Sequence, residues 1–99
     1  GNGEGAPEIS VAAEPEVRGL VQGVGYRYYC LRKAHSLNLK GWARNNRDGT
    51  VTAFVEGDRS AIEDFIKDLK IGPPSASVSD VVVRWSEFTG GYDDFDITF

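Results

Sequence analysis

The fold of this chain is decided at residues 17–27, which read VRGLVQGVGYR. The apolar residues at the start of this stretch, Val17 to Val21, predict a short β-strand, and Gly23 and Gly25 predict a loop after it. Beyond the loop, apolar side chains recur every three or four residues from Tyr26 to Ser36. That spacing predicts a helix with one buried face, so a strand runs through a glycine loop into a helix.

The rest of the chain supplies one more helix and more strands. Apolar alternation predicts strands at residues 39–45, 50–56 and 78–85, and the tail 95–99 alternates like a fifth or edge strand. Asp48-Gly49 is typical of a hairpin turn. Asp58 and the apolar stripe after it predict a second helix, which Gly72-Pro73-Pro74 ends. The order of elements predicts a split βαβ sandwich with both helices on one face of a mixed sheet.

The length of 99 residues indicates one domain. Residues 1–16 are rich in Gly, Ala, Glu and Pro, which predicts a flexible extension before a domain at residues 17–99. Pro15 favours the same boundary, because proline cannot donate to a central strand. We therefore expect the first strand to begin near Glu16.

Charge and cysteine content narrow the functional class. The net charge of −4 argues against nucleic acid as a partner, although the basic residues gathered from Arg18 to Arg47 leave room for a small anion. The single cysteine, Cys30, excludes a disulfide within the chain and fits a reducing compartment. No apolar run is long enough to cross a bilayer. We expect a cytoplasmic monomer that works without nucleic acid or membrane.

The glycine loop has the parts of a phosphate-binding site. A helix start presents unpaired amides and a partial positive charge, and the planar guanidinium of Arg27 can bind two phosphate oxygens at once. The loop matches neither the P-loop nor the dinucleotide-binding motif, so nucleotide binding is poorly supported. On these residues alone, a tight turn with a surface arginine remains an equal alternative.

Two short motifs resemble one known family. Val21-Gln22-Gly23-Val24-Gly25-Tyr26-Arg27 is similar to the VQGVGFR signature of the acylphosphatases, and Gly41-Trp42-Ala43-Arg44-Asn45 is similar to their second signature. The resemblance extends over about residues 17–99. It implies an α+β, ferredoxin-like βαββαβ sandwich with a mixed, mostly antiparallel sheet. It also implies hydrolysis of acyl phosphates to a carboxylate and inorganic phosphate by direct attack of water, with no metal and no cofactor.

The resemblance also assigns roles to residues. Arg27 would bind the phosphoryl group of a small acyl phosphate, or inorganic phosphate, and Asn45 would hold the attacking water. The phosphoryl group would also be bound by the backbone amides of Gln22, Gly23, Val24, Gly25, Tyr26 and Arg27. Tyr26 stands where the family usually has phenylalanine, and Leu20 stands where a polar or basic residue is frequent. We expect both differences to tune binding.

Two other functions compete with this hypothesis. A non-catalytic module that binds phosphate or carbamoyl phosphate is the main alternative, and the presence of Asn45 favours the enzyme. An RNA-binding sheet is disfavoured by the acidic charge. His35 is expected on the surface and Cys30 in the core. Trp42 and Trp85 are also expected to fill the core.

Overall fold

The computed structural model describes residues 9–99, which form five strands and two helices. They are β1 (Ser10–Leu20), α1 (Tyr26–Ser36), β2 (Lys40–Asn45), β3 (Val51–Asp58), α2 (Arg59–Ile71), β4 (Ser77–Glu87) and β5 (Phe95–Ile97). The predicted order is confirmed, and α1 has the bounds that its apolar spacing predicted. Neither helix is long and apolar enough to cross a membrane.

The strands form one sheet in the order β4-β1-β3-β2-β5. The pairs β4–β1, β1–β3 and β3–β2 are antiparallel, and β5 alone runs parallel to its neighbour β2. Buried side chains from both helices, among them Cys30 and Phe65, form one core with Val17 and Val55 of the central strands. The predicted mixed, mostly antiparallel sheet with two helices, the ferredoxin-like α+β fold, is therefore confirmed.

The predicted start of the first strand near Glu16 is wrong. Strand β1 begins at Ser10 and passes through Pro15, which pairs with Val83 of β4. On the β3 side the pairing skips Glu14 and Pro15 and resumes at Glu16. Because proline has no amide hydrogen, the pairing of β1 with β3 is interrupted at this point. The pairing of β1 with β4 continues through both residues.

The predicted flexible extension at residues 1–16 is therefore too long. Ser10 to Glu16 belong to β1, so the folded domain includes residues that the composition had assigned to the extension. Small and charged side chains can form a strand here because β1 lies between two partners. Of the rest of the predicted extension, Ile9 directly precedes β1 and residues 1–8 lie outside the described residues.

The expectation that both tryptophans fill the core is also wrong. In β2 the buried positions are Gly41 and Ala43, so Trp42 alternates onto the sheet face away from the helices. There it is half-buried and stacks on Phe54, with ring centroids 6.0 Å apart. Trp85 remains 39% exposed beneath the guanidinium of Arg59. Neither ring therefore belongs to the buried core.

Candidate active site

The loop between β1 and α1 turns on two glycines with left-handed backbone. Gly23 has φ 74° and Gly25 has φ 77°, a region that strains residues with a Cβ atom. A Cβ atom built at either position would meet nothing within 4 Å, so the need for glycine comes from the backbone and not from crowding. Gly25 occupies the N-cap of α1, and its carbonyl accepts the hydrogen bond of Tyr29 N.

The backbone amides of this loop are unpaired among the residues that the structure describes. Within residues 9–99, the backbone N–H groups from Gln22 to Arg27 donate no hydrogen bond to another protein atom. No side chain of the described residues caps α1, and the first turn of this helix carries no acidic residue. Unpaired donors and the positive end of a helix dipole therefore lie together, which is the arrangement that binds anions at helix starts.

Arg27 lies in the first turn of α1 and is held by the C-terminal residues. Its Nη1 donates a hydrogen bond to the carbonyl oxygen of Thr98 at 3.2 Å, and its guanidinium carbon lies 5.0 Å from the centre of the Phe99 ring. These contacts orient the planar guanidinium and leave most of its five donors available. A phosphate group beside α1 would meet a fixed positive charge.

Asn45 ends β2 and faces the same cavity. The cavity has a volume of about 270 Å³, and its walls include Gly23, Gly25, Arg27 and Asn45. Within the described part of the chain, the carboxamide of Asn45 has no hydrogen-bond partner. An amide of this kind can accept a hydrogen bond from a water molecule and donate one to it. The structure thus brings the loop, the arginine and the asparagine to one place.

Tyr26 takes part in this site through its backbone, because its side chain belongs to the core. The ring is 2% exposed, and the hydroxyl donates a hydrogen bond to the carbonyl oxygen of Leu69. Burial raises the pKa of Tyr26 far above its usual value, so the phenol stays neutral. The hydroxyl that distinguishes Tyr26 from phenylalanine therefore stabilises the packing of α1 on α2 and offers no acid or base to the cavity.

Two of the predicted phosphate-binding residues, Gln22 and Val24, do not line the cavity. Gln22 and Val24 are absent from the cavity wall, although their amides belong to the unpaired set. The side chain of Gln22 instead donates hydrogen bonds to the carbonyl oxygens of Asn46 and Thr50. The sequence predicts a role only for the backbone amide of Gln22. The two hydrogen bonds of its side chain are not part of that prediction.

The C-terminal residues were also missed. Ile97 and Phe99 line the cavity together with Tyr28, and none of the three was predicted to do so. Strand β5 pairs Ala43 with Ile97 in a parallel register, and continuing that register brings Phe99 level with Asn45. The alternation of residues 95–99 predicts a strand, but it does not predict that this strand pairs with β2.

Comparisons with known proteins find similar sequences and similar structures. The family model for acylphosphatase matches residues 13–97. An acylphosphatase of Pyrobaculum calidifontis is 44% identical over 88 residues, which are 88% of this chain and 80% of that protein. The crystal structure of acylphosphatase from Bacillus subtilis superposes with a TM-score of 0.87 at 35% identity, covering 90% of this chain and 99% of that one.

A longer protein contains a similar region. The crystal structure of full-length HypF, in its phosphate- and nucleotide-bound form, superposes with a TM-score of 0.85 at 36% identity. The match covers 97% of this chain but 13% of that one. The family model and the curated relatives, which match over most of their own length, show that this chain belongs to the acylphosphatase family, whose members hydrolyse acyl phosphates.

Proposed function

We propose that the amides from Gln22 to Arg27 and the guanidinium of Arg27 bind the phosphoryl group of an acyl phosphate, and that Asn45 orients the attacking water. The observation that carries this proposal is that unpaired loop amides, a fixed arginine and an unpaired carboxamide border one cavity. Negative charge grows on the phosphoryl oxygens during transfer, and these donors are arranged to stabilise it.

The reaction needs little further help from the protein. The water oxygen forms a bond to phosphorus while the bond from phosphorus to the acyl oxygen breaks, and the acyl group leaves as a carboxylate. Because a carboxylate is a good leaving group, it requires no protonation by a general acid. The proton of the water passes to a phosphoryl oxygen of the substrate, so a neutral amide that positions the water suffices.

Covalent catalysis by Cys30 finds no support in the structure. Cys30 is fully buried in the core, and burial raises the pKa of its thiol to about 12. A thiol of this kind is neither accessible nor ionised near neutral pH. Cys30 therefore offers no nucleophile to the site, which is consistent with direct attack of water.

We infer in addition that the protein acts as a cytoplasmic monomer on small soluble substrates, without nucleic acid or membrane. The net charge of −4 disfavours a nucleic-acid partner, and the single cysteine fits a reducing compartment. A volume of about 270 Å³ suits a phosphoryl group with a small acyl group.

The test is hydrolysis of benzoyl phosphate by the wild type and three variants, with and without a metal chelator. We expect the chelator to have no effect, Arg27→Ala to raise the phosphate inhibition constant and abolish most turnover, and Asn45→Ala to lower kcat by about 10²-fold with phosphate binding retained. Arg84→Ala is the control, since Arg84 pairs with Glu14 away from the cavity. Wild-type protein that binds phosphate but leaves benzoyl phosphate intact would instead identify a non-catalytic binding module.

A further inference from the structure

The two halves of the proposed site lie on different segments with no backbone hydrogen bonds between them. The pairing of β1 with β3 ends at Val17 and Val51, and the chain then continues along β4 as far as Leu20. Past that point, among residues 9–99, no backbone hydrogen bond joins the loop at residues 21–25 to the hairpin that follows Asn45. Backbone pairing from Val17 through Val51 to Asn45 aligns the strands, and beyond this ladder the distance between the loop and Asn45 depends on side-chain contacts.

The carboxamide of Gln22 spans this gap. Its Nε2 donates to the carbonyl oxygen of Asn46 at 2.7 Å and to that of Thr50 at 2.8 Å. These two carbonyls come from opposite sides of the hairpin, which the hydrogen bond from Asn46 N to the Thr50 carbonyl oxygen closes at 2.8 Å. Both N–H donors of the glutamine are thus used, and within the described residues they are the only hydrogen bonds between the loop and the hairpin.

The hairpin end that Gln22 holds is itself stiff. The Nδ2 of Asn46 donates to the hydroxyl oxygens of Thr50 and Thr52 at 2.9 and 2.7 Å, and its Oδ1 accepts from Arg44 Nε at 3.2 Å. Asn46 is the direct chain neighbour of Asn45. A shift of the hairpin relative to the loop would therefore move Asn46 and Asn45 together.

We propose that Gln22 is a positioning residue, whose side chain sets the separation between the phosphate-binding loop and the water-orienting Asn45. This inference rests on the roles proposed above for the loop and for Asn45. A glutamine fits the task because one nitrogen carries two donors for two carbonyls, whereas glutamate would present lone pairs to the same carbonyls and methionine would present neither. The side chain would act on the reaction through geometry and would not touch the substrate.

The key variant is Gln22→Met, which has a similar length and no donors. We expect kcat on benzoyl phosphate to fall by about 10- to 100-fold, the loss that a misplaced reactant produces. We expect the inhibition constant of inorganic phosphate to change by less than about threefold, because the loop amides and Arg27 remain. Tyr29→Phe is the control, since it too removes side-chain hydrogen bonding to a backbone carbonyl, here the single bond to Asp68 O, and should leave kcat unchanged.

A double-mutant cycle separates positioning from a general loss of structure. If Gln22 acts through Asn45, Gln22→Met should lower kcat by less than about threefold in the Asn45→Ala background. An equal loss in both backgrounds, or an unchanged kcat in folded Gln22→Met, would overturn the proposal. Gln22→Asn, which keeps both donors on a shorter stem, carries the same expectations where the methionine variant fails to fold.

A binding experiment judges Gln22 independently of turnover. In nitrogen-15 spectra of the wild type, we expect added inorganic phosphate to shift both the loop amides and the side-chain amide of Asn45. In Gln22→Met the loop amides should still shift, while the Asn45 signal should not. An equal shift of the Asn45 signal in both proteins would contradict the positioning role of Gln22. A wild type that leaves benzoyl phosphate intact would refute the proposed function, but the phosphate-induced shifts could still be compared between the two proteins.

Discussion

The guanidinium of Arg27 and the ring of Phe99 are in contact, with 5.0 Å between the guanidinium carbon and the ring centroid. They come from the first turn of α1 and from the last residue of the sequence. The contact exists because β5 runs parallel to β2 and so carries the residues after Ile97 past Asn45. The C-terminal tail is thus part of the wall around the arginine, in addition to closing the sheet.

Removing this ring should weaken phosphate binding without stopping the reaction. A cation–π contact at an exposed site contributes about 0.5–1 kcal/mol, so we expect Phe99→Ala to raise the inhibition constant of phosphate about two- to fivefold. Competition assays against benzoyl phosphate measure this constant. Phe88→Ala is the control, because Phe88 is also exposed and lies outside the cavity wall. Equal effects of the two variants would contradict a specific role for Phe99.

The left-handed backbone at Gly25 makes a second prediction. Since a Cβ atom there would meet open space, the cost of Gly25→Ala is conformational and amounts to about 1–2 kcal/mol of unfolding free energy. Relief of that strain by rotation would turn the loop amides away from the cavity, so kcat/KM should also fall. Gly25→Asn should be less destabilising than alanine, because asparagine tolerates this region better.

The control for Gly25 is Gly90→Ala. Gly90 also has a positive φ, at 71°, and lies outside the cavity wall. Its variant should lose stability in urea denaturation while keeping kcat/KM. If Gly25→Ala retained full activity, the orientation of the loop amides would not matter to the reaction.

The buried thiol of Cys30 should be inert in the folded protein. Its pKa, raised by burial from 9.0 to about 12, leaves about one molecule in ten thousand as thiolate at pH 8. We expect iodoacetamide to add no mass to the native protein at this pH and to add one adduct once urea unfolds the chain. Cys30→Ala should take no label in either state. Rapid labelling of the native protein would show that helix α1 opens from the core.

Sequence patterns predict the features that depend on residues close together in the chain, such as the bounds of a helix and its N-cap. The bounds of α1 follow from the three- and four-residue spacing of its apolar side chains, and the cap at Asp58 follows from its acceptor oxygen, which does accept from Ala61 N. The two motifs also named Arg27 and Asn45, because each motif is contiguous. The structure brings both to one cavity.

What could not be predicted depends on contacts between distant segments. Trp42 was assigned to the core because it is large and apolar, but the face of a strand that becomes buried depends on where the helices pack. The tether from Gln22 joins residues that are more than twenty positions apart, and the tail contact of Arg27 joins residues 71 positions apart. Neither leaves a periodic signal.

Pro15 offers the last prediction, because it tests how a central strand tolerates a missing donor. The gap in the β1–β3 pairing at Glu14 and Pro15 indicates that the proline nitrogen faces β3, opposite Ala53. Pro15→Val keeps an apolar side chain of similar size and restores an amide at this point. The recovered hydrogen bond contributes about 0.5–1.5 kcal/mol, while the loss of proline makes the unfolded chain freer by about 0.4–1 kcal/mol. We therefore expect the free energy of unfolding to change by less than about 1 kcal/mol, and the new amide to exchange with deuterium as slowly as that of Val17. Fast exchange of the new amide would mean that the gap has another cause than the missing donor.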